Sequence, residues 1–147
     1  MADIKSKEER SKNMAAIKGK DTKPELYIRK LLFNHGYRYR KNCKNIPGHP
    51  DIWMRKYNAV IFINGCFWHR HSGCKYAYMP KSRREFWQKK FEENIVRDNL
   101  IKQKLLERNI RCLIIWECTI NHMKKEENEL LSSIVSFLNS NNNFKEI

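Results

Sequence analysis

Residues 66–74 read Cys-Phe-Trp-His-Arg-His-Ser-Gly-Cys, so two thiols, two imidazoles and two adjacent aromatic rings share one short stretch. Thiolate and imidazole donors at this spacing suit zinc, which takes sulfur and nitrogen ligands in a tetrahedral array. Cys66, His71 and Cys74 form C-x4-H-x2-C, and a fourth ligand must come from Cys43, Cys112, Cys118, His69 or His122. Cys118 stands just past an expected strand, where a chain can meet a loop leaving a neighbouring strand. Cys112 fits an inert core thiol better. Ligation by protein groups alone implies a structural ion with no open position. A disulfide loop is the bland alternative. Five cysteines cannot all pair, and the polar opening of the chain shows no signal-peptide pattern. A cytoplasmic, reducing location is therefore expected, and there a Cys cluster more often binds metal.

Asp51 is the second chemical feature. It opens an apolar strand and is the only carboxylate between Glu25 and Glu85, a stretch that holds thirteen Lys or Arg. A carboxylate so placed can hold Mg2+, which takes oxygen ligands and keeps waters and substrate phosphates. A backbone carbonyl near Ile63 is a further candidate ligand; the competing view is a turn-capping Asp after Gly48-His49-Pro50. His69 alternates with His71, so the two rings face opposite ways in an extended loop. With His71 on zinc, His69 is available as a general base or acid. Glu25 and Asp98 are weaker candidates, singled out because few other acids could reach a central metal. Phe67 and Trp68, held between metal ligands, suit wedging or stacking against nucleic-acid bases.

These groups need a basic, folded scaffold. The chain has 147 residues, 41% of them hydrophobic, which allows one domain with a real core. Thirty Lys and Arg against sixteen Asp and Glu give a net charge of +14, and the pI is 9.7. That balance is the footprint of a polyanion binder. No apolar run reaches the length of a membrane span. Residues 1–20 read as a basic arm that orders on its partner, residues 21–140 as a single domain, and residues 141–147 as a frayed tail.

Within that domain a helix starts near Pro24 and stops at Gly36. Strands are expected at 37–41, 51–54 and 59–64, the last a continuous apolar run that suits a strand buried on both faces. A helix over 82–108 is expected to line up Phe86, Lys90, Asn94 and Arg97 along one side. A strand at 111–116 and a helix over 125–139 complete an α/β fold around a mixed sheet.

Several rare strings occur together: Arg10-Ser11-Lys12-Asn13-Met14, Pro47-Gly48-x-Pro50-Asp51, Gly65-Cys66-Phe67-Trp68-His69, Glu85-Phe86-Trp87, Arg97-Asp98 and Trp116-Glu117-Cys118. In this order they resemble the very-short-patch repair endonucleases, which nick DNA beside a T:G mismatch left by 5-methylcytosine deamination. The resemblance runs to about residue 120. It implies a restriction-endonuclease-like core, a structural Zn2+ and Mg2+-dependent cleavage of double-stranded DNA. It makes Asp51 the principal magnesium ligand, with the Ile63 carbonyl beside it, and His69 the base that activates water. Glu25 and Asp98 become supporting members of the site, and the zinc ligands become Cys66, His71, Cys74 and Cys118. Phe67, Trp68 and Trp87 fall on the wedge beside the mismatch, Met14 enters the stack from the other groove, and Lys90 and Asn94 contact the mispaired bases. Mismatch-repair proteins are candidate partners, and a monomer is expected.

Two departures stand out: Ile63-Asn64 replaces the family's common Thr-His, and Ser72-Gly73 makes the loop before Cys74 one residue longer than a common pattern. The acid-x-Lys of many restriction-type nucleases is also missing, a gap that His69 fills. A restriction or homing endonuclease of the same fold, and a zinc-stabilised DNA-binding module without catalysis, are the alternatives.

Overall fold

The computed structural model describes residues 22–147; the expected arm, with Met14, lies outside the described residues. The first helix, α1 (Lys23–Asn34), has Pro24 in its first turn, where a missing N–H costs nothing, and Glu25 beside it. Then come β1 (Arg40–Lys41), β2 (Ile52–Met54), a 3-10 turn (Arg55–Tyr57) and β3 (Ala59–Asn64). The long helix α2 (Arg84–Glu107), β4 (Arg111–Trp116), α3 (Glu117–Met123), α4 (Glu127–Leu138) and β5 (Phe144–Glu146) complete the chain.

The five strands form one sheet in the order β1-β2-β3-β4-β5. The pairs β1–β2 and β2–β3 are antiparallel, and β3–β4 and β4–β5 are parallel. This is the mixed α/β architecture expected, with helices flanking the sheet. On one face Ile28 and Leu32 of α1 and Leu130, Ile134 and Phe137 of α4 pack against Ile52, Ile61, Leu113 and Ile115. On the other, Leu105 of α2 covers Val60 and Cys112. The apolar runs in β3 and β4 are explained by this two-sided cover.

Three local expectations need correction. The strand foreseen over 37–41 shrinks to Arg40–Lys41, while Tyr37 and Tyr39 pack against the larger core cluster. A short helix that was not foreseen, α3, follows β4 directly, whereas α4 occupies the span expected for the final helix. The tail does not fray. Phe144–Glu146 pairs with Cys112–Ile114, and the Ile147 N–H donates to the Ile114 carbonyl at 2.8 Å. The Arg111 guanidinium secures this return, donating to the carbonyls of Asn142 (2.9 Å), Leu138 (3.1 Å), Ser140 (2.9 Å) and Phe137.

Candidate active site and metal centre

The sheet register explains why residues distant in sequence meet. Asn64 pairs with Trp116 in the parallel β3–β4 ladder, so Cys66 and Cys118 each lie two residues beyond the same rung. Asp51 immediately precedes β2, and its carboxylate accepts the Ile63 N–H at 2.7 Å. Both features therefore gather at the carboxyl end of β3, the usual place for sites on α/β sheets.

At the candidate metal centre the donor atoms of Cys66, His71, Cys74 and Cys118 all lie within 4.8 Å of one another, a group that could hold a metal ion. His71 Nδ1 is 3.6 Å from the Cys66 sulfur and 3.4 Å from that of Cys118. A tetrahedral ion with metal–sulfur and metal–nitrogen bonds of about 2.3 and 2.0–2.1 Å requires an S–N edge of about 3.5 Å. The donor set and its spacing thus fit zinc. Trp116 lies flat on the His71 ring, 4.2 Å away and 7° from parallel, which fixes the imidazole plane. Burial pushes the Cys66 thiol up to about 12, so a thiolate there needs a cation beside it. The Tyr76 backbone N–H holds the Cys74 thiol below its usual range.

A separate cavity of 480 Å³ is lined by Asp51, Glu25, His69 and Asp98 together with Arg97 and Lys102. His69 Nδ1 lies 2.7 Å from an Asp98 carboxylate oxygen. That partner favours the tautomer with a proton on Nδ1, leaving Nε2 to accept one. Burial pushes the Asp51 carboxyl up to about 7, and the nearby Glu25 charge adds to the rise; the Ile63 N–H and Arg29 oppose it. Two neighbouring carboxylates in a partly desolvated cavity suit a hard cation with oxygen ligands, as Mg2+ requires.

Glu25 does not face solvent as most helical acids do: it is 4% exposed. Arg29, one turn later and equally buried, pairs with it at 3.3 Å. The same guanidinium nitrogen reaches Asn42 Oδ1 at 3.2 Å and the Asp51 carbonyl at 3.5 Å. Sequence reasoning passes over Arg29, although the i,i+4 spacing of Glu25 and Arg29 is a usable signal.

The aromatic residues form one cluster. Phe67 is its hub, with ring centroids 5.2 Å from Trp68, 5.5 Å from Trp87 and 5.2 Å from both Tyr78 and Phe91. Arg70 also escapes a reading of the sequence. Its guanidinium stacks 3.8 Å from the Phe91 centroid and donates to the carbonyls of Phe67 (3.2 Å), Ala77 (2.8 Å) and Tyr78 (3.1 Å). It ties the two ends of the loop together beside the metal centre, and no local sequence pattern announces it.

On α2 the inward stripe is Trp87, Phe91, Asn94, Asp98, Ile101 and Leu105, at helical spacing; of the row Phe86, Lys90, Asn94 and Arg97, Asn94 alone is buried. One helix face therefore serves cluster, cavity and core in turn. Lys90 is exposed, whereas Asn94 is buried. The Asn94 amide donates to the Trp68 carbonyl at 3.1 Å and its oxygen accepts from Arg97 at 3.1 Å.

The sequence of residues 2–75 matches the family model described as DNA mismatch endonuclease Vsr. A type II nicking enzyme of Neisseria meningitidis, V.NmeAIP, is 43% identical over 83% of this chain and 86% of its own length. The DNA mismatch endonuclease Vsr of Escherichia coli is 40% identical over 90% of this chain and 84% of its own. A nicking enzyme of Xanthomonas oryzae, V.XorIIP, is 38% identical over 84% and 90% respectively. With the family model spanning half the chain and these relatives nearly all of it, the chain belongs to the DNA mismatch endonuclease Vsr family.

Proposed function

We propose that this chain nicks one strand of double-stranded DNA beside a T:G mismatch, by magnesium-dependent hydrolysis of a phosphodiester. The observation that carries the reading is the His69–Asp98 pair sharing one cavity with the half-buried Asp51 carboxylate. Asp51, with the Ile63 carbonyl and Glu25 in support, would hold the Mg2+. When bound, the ion supplies a Lewis acid that offsets the negative charge of the phosphoryl oxygens.

The chain's own residues do the rest. His69 Nε2 takes the proton of the attacking water, and Asp98 keeps the ring in the tautomer that can do so. Arg97 and Lys102 on the cavity wall favour entry of an anionic backbone. Phe67, Trp68 and Trp87 enter the base stack, which costs a few kcal/mol per opened step. A mispaired step is already poorly stacked, so the cost falls there and selectivity arises before any base is read. Lys90 is free to contact the mispaired bases. Asn94 reaches them only by releasing Trp68, which couples wedge position to base contact.

The decisive experiment is single-turnover nicking of matched and T:G duplexes, with and without Mg2+. The wild type should cut only the mismatched duplex, and only with the ion. Equal cutting of both duplexes identifies a restriction-type enzyme, and binding without cutting identifies a DNA-binding module. Trp68→Ala should lower the mismatched-to-matched ratio about fivefold or more, since each aromatic stacking contact is worth about 1–3 kcal/mol. An unchanged ratio removes Trp68 from the wedge. Asp98→Asn should slow nicking by up to the roughly 10²–10⁴-fold that general acid–base catalysis supplies. In a His69→Ala background the same change should cost little more, because the two act as a unit. Additive losses would show that Asp98 works independently of His69.

A further inference from the structure

We propose that the groove between residues 44–49 and the C-terminal end of α2 holds the DNA sugar-phosphate backbone on one side of the cleaved phosphate. The proposal rests on the endonuclease reading above and adds a binding surface to it. The groove has a volume of 580 Å³, and its cations are Lys44 from the loop and Lys104 and Arg108 from the helix end, against the single acid Glu107. Gly48 and His49 line both this groove and the cavity that contains Asp51, so the two are continuous.

Their shared wall is built to stay in place. Gly48 has φ +82°, and a Cβ there would lie 2.6 Å from Ile101 Cγ2 and 2.9 Å from Phe62 Cζ. Only glycine allows the loop to sit so close to α2 and β3. His49 also adopts the left-handed region, with φ +47°, and its N–H donates to the Ile46 carbonyl at 3.0 Å. Such backbone persists where the surroundings over-determine it, and it is concentrated at functional sites.

Cations at a helix C-terminus are ordinary, since they complement the dipole. That explains Lys104 and Arg108 but not Lys44, which reaches the groove from the opposite wall. Among the described residues the ion pairs are Arg29–Glu25 and His69–Asp98, so none engages these three cations. Three cations converging from two elements, on a path leading out of the cavity, match a run of phosphates. Each phosphate neutralised should add about 0.9 to the slope of log K against log salt on duplex DNA.

The test is the triple variant Lys44→Ala, Lys104→Ala, Arg108→Ala, with binding to a T:G duplex measured by fluorescence anisotropy across a salt series without Mg2+. Its slope should be shallower than the wild type's by about 2–3. Matched duplex should weaken in parallel, because phosphate contacts carry no base information. The nicking rate at saturating enzyme should stay within twofold of the wild type. With duplexes shortened from one end up to the nick, the difference should vanish for one end and persist for the other. An unchanged slope overturns the assignment. So does a slope difference that survives shortening from either end, which would mean diffuse attraction rather than a groove. Loss of the saturated rate would place these residues in catalysis instead. Failure of the wild type to nick T:G duplex would sink the endonuclease reading while leaving the binding test intact.

Discussion

Asp51→Asn should abolish nicking and, in zinc-loaded protein without added magnesium, should make the fold more stable than the wild type at pH 8. The first effect follows from losing the carboxylate proposed to anchor the ion. A Lewis acid worth several kcal/mol translates to a loss of at least about 1,000-fold. The second follows from the carboxyl being pushed from 3.8 up to about 7 by burial, with the Glu25 charge adding to the rise. Between those values the folded state holds a proton that the unfolded state has released. Wild-type stability therefore falls as pH rises from about 4 to about 7 and then levels, with the destabilised ionised form dominant above. Each tenfold change in proton affinity between the folded and unfolded chain is worth about 1.4 kcal/mol, so the ceiling on the pH 8 gain is about 4 kcal/mol.

Asparagine retains an oxygen to accept the Ile63 N–H, so the substitution removes charge without orphaning a donor. Urea unfolding at pH 5 and pH 8 checks this: the variant's advantage should be large at pH 8 and shrink towards acid. Adding Mg2+ at pH 8 should stabilise the wild type and leave the variant unmoved. A variant that still nicks, or that gains equally at both pH values, would show that Asp51 is not the anchoring charge.

How much of this is legible in the sequence depends on the range of the interactions involved. The β3 and β4 strands declare themselves because two-sided burial demands unbroken apolar runs, and Cys118 suggests itself because it follows one of them. β5 leaves no such trace. It is three residues long with one apolar side chain, Phe144, and it holds its place through ladder bonds to β4 and the Arg111 contacts to chain carbonyls, both distant in sequence. Arg70 is an ordinary basic residue in a basic chain until the loop folds three carbonyls onto it, and Arg29 declares only its i,i+4 partner Glu25, not Asn42 or the Asp51 carbonyl. The inward stripe of α2 is hidden because it mixes Trp, Phe, Asn, Asp, Ile and Leu. Each part of that face meets a different environment, so no single hydrophobic period marks it. Family strings point to the candidate chemical residues, but say nothing of what holds them.

Cys118→Ser should lose the zinc and with it much of the folded protein. Register places this thiol beside Cys66, so it links the loop after β3 to the first turn of α3. Structural zinc sites carry an apparent 10–16 kcal/mol in small peptides, and forfeiting one of four ligands should cost several of these. At about 2–4 °C per kcal/mol for a chain of this size, the melting temperature should fall by about 10 °C or more. Nicking should fall further than stability alone predicts. His69, Phe67 and Trp68 lie between Cys66 and His71, so a slack loop would displace the proposed base and wedge together. Cys112→Ala is the control. That thiol is buried in the small cluster with Val60 and Leu105, and its loss should cost packing while zinc stays at one ion per chain. Metal content by atomic emission, thermal melts and single-turnover nicking of the three proteins decide the matter. A Cys118→Ser protein that purifies with a full equivalent of zinc would assign the fourth ligand elsewhere. One that loses zinc yet nicks with undiminished mismatch preference would show that Arg70 and the aromatic cluster hold the wedge without the ion.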